Sequence, residues 1–96
     1  METPTPKPAE PHRFTDQYEF EADFPGETLH YRESGRKTSM IWTWAHGYRI
    51  YASSIGNWSN PDGTQSPMSD EDRSEIVNRA VKYAKDVQHV AMIVEP

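Results

Sequence analysis

The chain has no cysteine, and this absence excludes several kinds of site at once. Without thiols there is no disulfide framework, no thiolate nucleophile and no zinc ion held by cysteine. A small domain of this kind must stabilise its core by packing alone. The lack of cysteine is compatible with both a reducing cytosol and an uncrosslinked periplasmic protein, so it leaves the compartment open.

Basic residues are few and long apolar runs are lacking. The 96 residues include 10 Lys and Arg against 15 Asp and Glu, which gives a net charge of -5. Nucleic-acid affinity comes mainly from clustered Lys and Arg, so this balance argues against nucleic acid and favours a basic protein as the partner. No stretch approaches the roughly 18 apolar residues of a membrane span, and the first residues do not resemble a signal peptide. We expect a cytoplasmic protein with no membrane contact.

Prolines are concentrated at the start of the chain, where residues 1–13 contain four of the eight. Proline lacks a backbone donor and disfavours helix in the residue before it, so this segment is predicted to be a disordered tail. A proline-rich recognition ligand is the alternative. Residues 14–96 are predicted to form a single domain that is too small for a deep cofactor cleft.

Alternation of apolar and polar residues predicts four antiparallel strands. The first runs from Tyr18 to Phe24, and the others follow the turn sequences Pro25-Gly26, Ser34-Gly35 and His46-Gly47. Two-residue turns fix the strand register, because a slip by one residue moves every side chain to the other face. The predicted core face then carries Tyr18, Phe20, Ala22, Phe24, Leu29, Tyr31, Met40, Trp42, Trp44 and Tyr51.

The register also predicts individual cross-strand neighbours. The first two turns place Ala22 opposite Leu29 and Leu29 opposite Met40, and the third places Trp42 opposite Tyr51. The opposite face is polar except for Ile41 and Ile50. Three turns that agree on one apolar face indicate a consistent sheet.

A helix and a last strand are predicted after a loop at residues 56–68. Ser69 has the character of an N-cap, with Asp72 three residues on and acidic residues in the first turn. The predicted apolar stripe consists of Ile76, Val77, Ala80, Val81, Ala84 and Val87. Val90–Glu95 is apolar on both sides, which predicts an inner strand. The expected fold class is α+β: an antiparallel four-stranded meander, one amphipathic helix packed on its aromatic face, and a C-terminal strand.

Residues that could carry catalysis are scattered. The histidines at 12, 30, 46 and 89 lack the spacing of ligand pairs, and no Gly-x-Ser-x-Gly motif is present. We therefore expect no catalytic residues, no metal, no cofactor and no enzymatic activity. A small hydrolase is the alternative, and it would need a pocket lined by His30 or His46 together with carboxylates.

Three stretches resemble one family of proteins. They are Tyr31-Arg32-Glu33-x-Gly35-Arg36, Ile50-Tyr51-x-Ser53-Ser54-Ile55-x-x-Trp58 and Met68-Ser69-Asp70-Glu71-Asp72-Arg73. Together they resemble the small immunity proteins of bacterial polymorphic toxin systems. The resemblance implies a single α+β domain that binds a cognate toxin domain and blocks it without catalysis. It implies no particular binding residues, because members of this class use different surfaces.

Candidate partner-binding residues come from the charge pattern. Glu19, Glu21 and Asp23 form an acidic row on one strand, and Tyr48 and Ile50 are predicted to add apolar area on the same face. Such a mixture suits a basic toxin domain. The loop at residues 56–68 and the acidic first helical turn are competing surfaces. A small self-associating structural or regulatory domain with no toxin partner is the alternative function, and the oligomeric state stays open.

Overall fold

The computed structural model describes residues 17–23, 26–44 and 47–96. The predicted disordered tail at residues 1–13, and Phe24, Pro25 and His46 of the predicted hairpins, lie outside the described residues. The elements are β1 (Tyr18–Asp23), β2 (Thr28–Glu33), β3 (Arg36–Thr43), β4 (Arg49–Tyr51), a 3-10 turn (Ala52–Ser54), β5 (Trp58–Ser59), β6 (Gln65–Ser66), α1 (Asp70–Asp86) and β7 (Ile93–Glu95). The predicted α+β class is confirmed.

The first three strands form the predicted antiparallel meander. Ala22 lies opposite Leu29, and Leu29 lies opposite Met40, as the two-residue turns require. At the second turn Ser34 and Gly35 have φ angles of +51° and +79°. Positive φ at both central residues matches the right-handed twist of the strands, which explains why this hairpin keeps its predicted register.

The third hairpin differs from the prediction by one residue. Trp42 lies opposite Ile50 rather than Tyr51, and the last pair before the connection is Thr43 with Arg49. Residues 44–48 therefore make a longer connection than a two-residue turn. The slip moves Ile50 into the core, where it is 0% exposed. Its predicted outward position was wrong. The core position predicted for Tyr51 was wrong as well, because Tyr51 lies opposite Ile41 on the other face and is only partly buried.

The last strand is at an edge of the sheet, and the prediction of an inner position was wrong. The strand order is β1-β2-β3-β4-β7, and β7 runs parallel to β4. Ile93 is 55% exposed and Val94 is 46% exposed. Val87, predicted on the buried helical stripe, is exposed as well, because α1 ends before it at Asp86.

The segment predicted to be a loop contains a small hairpin of β5 and β6. Its turn is held by Asn60, whose N–H donates to the carbonyl of Thr64 at 2.8 Å. Asp62 Oδ1 accepts hydrogen bonds from the N–H and hydroxyl of Thr64, and these bonds lower the pKa of Asp62. The polar residues that indicate a loop thus satisfy one another, and they bring Trp58 into the core at 0% exposure.

Helix α1 packs on the aromatic face of the sheet. Ser69 Oγ accepts a hydrogen bond from the Asp72 N–H at 3.1 Å, which confirms the predicted N-cap. The Tyr83 ring lies 5.0 Å from Phe20 and 6.3 Å from Trp42, measured between centroids. The buried apolar residues are Leu29, Tyr31, Met40, Trp42, Ile50, Ile55, Trp58, Met68, Ile76, Val77, Ala80, Ala84 and Met92.

Candidate functional site

The sheet has one face covered by α1 and a second face, here named the open face, that points away from the helix. Strand pairing places on the open face Glu19, Glu21, Asp23, Thr28, His30, Arg32, Lys37, Ser39, Ile41, Thr43, Arg49, Tyr51, Ile93 and Glu95. None of these side chains is buried. Charged side chains from β1, β2, β3, β4 and β7 meet on this surface.

The predicted acidic row lies on β1, at the edge of the sheet. Glu19, Glu21 and Asp23 are all exposed, and they point to one face because strand residues alternate. Glu21 forms an ion pair with Arg32 on β2 at 3.8 Å, with side chains 72% and 57% exposed. Exposed pairs of this kind contribute little stability, about 0 to 1 kcal/mol. The pair can therefore be exchanged for contacts with a partner at little cost.

Basic and hydroxyl groups occupy the centre of the open face. His30 Nδ1 and Ser39 Oγ are 2.8 Å apart, and Lys37 lies opposite Arg32. These residues line a shallow groove of about 240 Å³ together with Glu19 and Glu21. The open face is thus acidic at its β1 edge and basic in the middle.

The groove also brings Glu21, His30 and Ser39 into one row across three strands. This order of carboxylate, imidazole and hydroxyl meets the first requirement of the hydrolase alternative. However, Glu21 is 72% exposed and pairs with Arg32, and β2 has a strand partner on each side. Nucleophilic catalysis needs free N–H donors for the oxyanion and a site from which water is excluded. An open groove on a paired sheet favours binding instead.

Tyr48 and Ile50 do not join the acidic row. Ile50 is in the core, so it is removed from the candidate surface. Tyr48 is 42% exposed, but its ring packs 5.1 Å from Trp44, whose own ring contacts the buried Trp42. Tyr48 also precedes β4, which lies three strands from β1, or roughly 14 Å at the usual spacing between strands. The five predicted residues therefore do not form one patch.

The acidic first turn of α1 has a structural role in part. Asp72 is only 4% exposed, and its Oδ2 accepts a hydrogen bond from Trp58 Nε1 at 3.3 Å. Asp70 is paired with Arg73 at 2.8 Å. The Asp72–Trp58 contact joins the helix start to the β5–β6 hairpin, so Asp72 is removed from this competing surface, whereas Asp70 and Glu71 stay exposed.

A polar cluster beneath α1 was missed at the level of the sequence. Arg79 Nη1 donates to the Tyr31 hydroxyl at 2.8 Å and lies 4.0 Å from Glu33 Oε2. Glu33 is 1% exposed, and the Arg79 guanidinium also lies 4.3 Å above the Tyr18 ring. Alternation along β2 could have predicted that Glu33 is buried, because Glu33 follows Leu29 and Tyr31 at intervals of two and therefore shares their buried face.

The cluster raises the pKa values of Tyr31 and Arg79. Burial, followed by the negative charge of Glu33, raises the pKa of Tyr31 well above its ordinary value, against the lowering effect of Arg79. Burial opposes the charged form of Arg79, but its hydrogen bond to Tyr31 and the charges of Glu33 and Glu75 outweigh this and raise the pKa of Arg79. Tyr31 therefore stays protonated and Arg79 stays charged at neutral pH.

Other kinds of site were searched for in the same ranges. Among the described residues, no group of three or more His, Cys, Asp or Glu is placed to hold a metal ion. No helix in the described part of the chain is long and apolar enough to cross a membrane. Comparisons of the chain with protein-family models, with curated proteins and with solved structures gave no match. Function is therefore inferred from the open face itself.

Proposed function

We propose that this protein is an immunity protein that neutralises a cognate bacterial toxin by direct, non-catalytic binding. The proposed binding surface is the open face, and the proposed place of action is the cytoplasm of the bacterium that makes the toxin. The observation that carries the proposal is the exposed acidic row of Glu19, Glu21 and Asp23 on an edge strand. The family resemblance of the three sequence stretches points in the same direction.

The charge arrangement indicates the chemistry of the partner. Three carboxylates at alternate positions of β1 are spaced at intervals of about 6.8 Å, which suits a row of Lys or Arg on a basic toxin domain. His30 and Lys37 in the central groove complement a carboxylate of the same partner. Complementary charges of both signs select one partner and accelerate its association.

The weak pairing on the open face supports a binding role. The Glu21–Arg32 contact at 3.8 Å is largely solvated, so its exchange for a partner's charges costs little free energy. Charges that stabilise the fold are buried elsewhere, beneath α1. The protein can therefore present the acidic row without a loss of stability.

Co-expression in bacteria tests the proposed function. The toxin used is the product of the gene adjacent to this one, and the readout is survival of cells that express both proteins. Wild-type protein is expected to protect the cells, and Glu21→Lys with Asp23→Lys is expected to protect poorly because like charges then face the toxin.

A matched control separates local charge from total charge. Glu71→Lys with Asp86→Lys makes the same change in net charge at exposed positions of α1, away from the open face. This control is expected to protect as the wild type does, and a loss of protection in the control alone would assign the interface to the acidic first turn of α1, to which Glu71 belongs. Equal protection by both double variants would overturn the open face as the binding surface, and no protection by the wild type would overturn the immunity function.

A further inference from the structure

Two basic side chains face each other at the centre of the open face. Arg32 on β2 lies directly opposite Lys37 on β3, and both are exposed. Directly opposite residues of an antiparallel pair have Cβ atoms about 5 Å apart, and like charges at this distance destabilise a sheet. The chain as a whole has an excess of acidic residues, with a net charge of -5. Its composition therefore does not account for a repulsive basic pair.

The two members of this pair differ in their surroundings. Arg32 lies 3.8 Å from Glu21, whereas no acidic side chain in the described part of the chain lies within ion-pair distance of Lys37. The acidic row is on β1, two strands from β3, or about 9.6 Å at the usual spacing between strands. The described fold thus leaves the charge of Lys37 uncompensated. Proteins break a local rule of this kind mainly where function requires it.

Lys37 lies where two shallow grooves adjoin. The groove of about 240 Å³ extends toward β1, and a second groove of about 620 Å³ extends toward the β5–β6 hairpin. The grooves share four residues of β2 and β3, Lys37 among them. The hairpin side of the second groove is lined by uncharged residues such as Ser59 and Gln65, and Ser59 lies directly opposite Lys37. An anion therefore reaches Lys37 from the hairpin side without meeting a carboxylate of the groove lining.

We propose that Lys37, together with His30, binds one carboxylate group of the toxin, which enters from the side of the β5–β6 hairpin. This inference rests on the proposed immunity function and adds the orientation of the partner. The basic residues of the toxin lie over β1 and its carboxylate lies over β3, about 10 Å away. His30 Nδ1 lies 2.8 Å from Ser39 Oγ. This contact orients the imidazole ring and uses only one of its two nitrogen atoms.

The charges of the first groove favour a carboxylate over a phosphate group. Its lining contains two acids, Glu19 and Glu21, and two bases, Arg32 and Lys37. Because Arg32 already pairs with Glu21, Lys37 offers one positive charge to a ligand. A carboxylate matches that single charge, whereas a doubly charged phosphate keeps an excess negative charge that the two glutamates repel. An Asp or Glu side chain of the toxin supplies the matching group.

The proposal predicts that Lys37 lowers stability and raises affinity at the same time. Lys37→Gln removes the repulsion with Arg32, so the melting temperature of the free protein is expected to rise by roughly 1 to 4 °C. The affinity for the toxin is expected to fall by roughly tenfold or more, because a charge-assisted hydrogen bond is lost. A residue with a purely structural role would not move the two quantities in opposite directions.

Calorimetric titration of the adjacent gene's product with the full chain measures the affinity, and thermal unfolding of the free protein measures the stability. Lys82→Gln is the matched control, because Lys82 is exposed on α1 and its replacement removes the same charge. This control is expected to bind the toxin as the wild type does. Equal affinity of the two variants, or a melting temperature of Lys37→Gln below that of the wild type, would each overturn the carboxylate site and leave the immunity function intact. A wild type that does not bind would instead overturn the immunity function, and the carboxylate site with it.

A double-mutant cycle identifies the carboxylate. Each exposed Asp and Glu of the toxin is replaced by Asn or Gln, and every toxin variant is titrated with the wild type and with Lys37→Gln. One toxin variant is expected to bind both proteins with equal affinity, because the charge that Lys37 recognises is then absent. If Lys37→Gln weakens binding by the same factor for every toxin variant, Lys37 acts without a carboxylate partner and the proposal is wrong.

Discussion

Arg79 and Arg32 each pair with a glutamate, on opposite faces of the same sheet. The Arg79–Glu33 distance is 4.0 Å and the Arg32–Glu21 distance is 3.8 Å. The side chains of the first pair are 14% and 0% exposed, whereas those of the second are 57% and 72% exposed. Similar distances thus accompany very different solvation. Charges beneath α1 join the helix to the sheet, and charges on the open face stay exposed to solvent.

Replacing each arginine in turn by methionine tests the difference between the two faces, and it has the largest expected effect on stability. Arg79→Met is expected to lower the free energy of unfolding by about 3 kcal/mol, the low end of the cost of breaking a buried ion pair. Arg32→Met is expected to lower it by less than about 0.5 kcal/mol. Urea denaturation of the two variants measures both values, and equal losses would show that the burial difference has no energetic meaning.

The raised pKa of Tyr31 predicts an alkaline loss of stability. The unfolded chain ionises Tyr31 near its ordinary pKa of about 10, while the folded chain keeps it protonated, so the unfolded state releases its proton first. Stability from this group is complete below pH 10 and falls above it, by up to roughly 1.4 kcal/mol per pH unit. Thermal unfolding between pH 8 and 11 checks this, in wild type and Tyr31→Phe.

Tyr31→Phe lacks the ionisable group and is expected to show the shallower decline above pH 10. Its stability at pH 8 is also lower, because the Arg79 hydrogen bond to the Tyr31 hydroxyl is lost. Parallel declines in the two proteins would mean that Tyr31 ionises alike in both states, contrary to its burial.

A substitution at the start of α1 is expected to lower the free energy of unfolding by less than Arg79→Met does. Ser69→Ala removes the acceptor for the Asp72 N–H and is expected to cost about 1 kcal/mol of unfolding free energy. Ser69→Asp keeps an acceptor at the N-cap and is expected to stay within a few tenths of a kcal/mol of the wild type. A loss of the same size in both variants would argue against capping as the role of Ser69.

Reversal of charge on the open face is expected to have the smallest effect on stability. Glu21→Lys with Asp23→Lys should change the free energy of unfolding by less than about 0.5 kcal/mol, because both residues are exposed. Urea denaturation measures this change. A loss comparable to that of Arg79→Met would mean that the acidic row stabilises the fold, and it would remove the distinction between the two faces.

Short sequence motifs correctly predicted the parts of the fold that depend on residues close together in the chain. The Ser34-Gly35 turn sets its hairpin because both residues adopt positive φ, and Ser69 caps the helix through its own hydroxyl. The third hairpin was misjudged because His46-Gly47 has the composition of a two-residue turn, yet the strands pair through Thr43 and Arg49. That choice depends on burying Ile50 beside Trp42, which is a tertiary effect.

The candidate site, like the fold, could be predicted from the sequence only in part. Alternation along β1 correctly placed Glu19, Glu21 and Asp23 on one exposed face. The edge position of β7 was not predictable from Ile93 and Val94, because apolar residues on both sides of a strand are also typical of an inner strand. Prediction of the Glu33–Arg79 ion pair would have required knowledge of which face of the helix meets which end of the strand. Such long-range pairs carry no local signal.

The most direct test of the central claim is a calorimetric titration of the proposed toxin partner, the product of the adjacent gene, with wild-type protein and with the double variant Glu21→Lys, Asp23→Lys. At low salt the double variant is expected to bind at least roughly tenfold more weakly, and at high salt the difference should shrink as exposed charges are screened. The variant remains folded in this account, so the loss belongs to the interface. Equal affinity of the two proteins at low salt would contradict the open face as the toxin-binding surface.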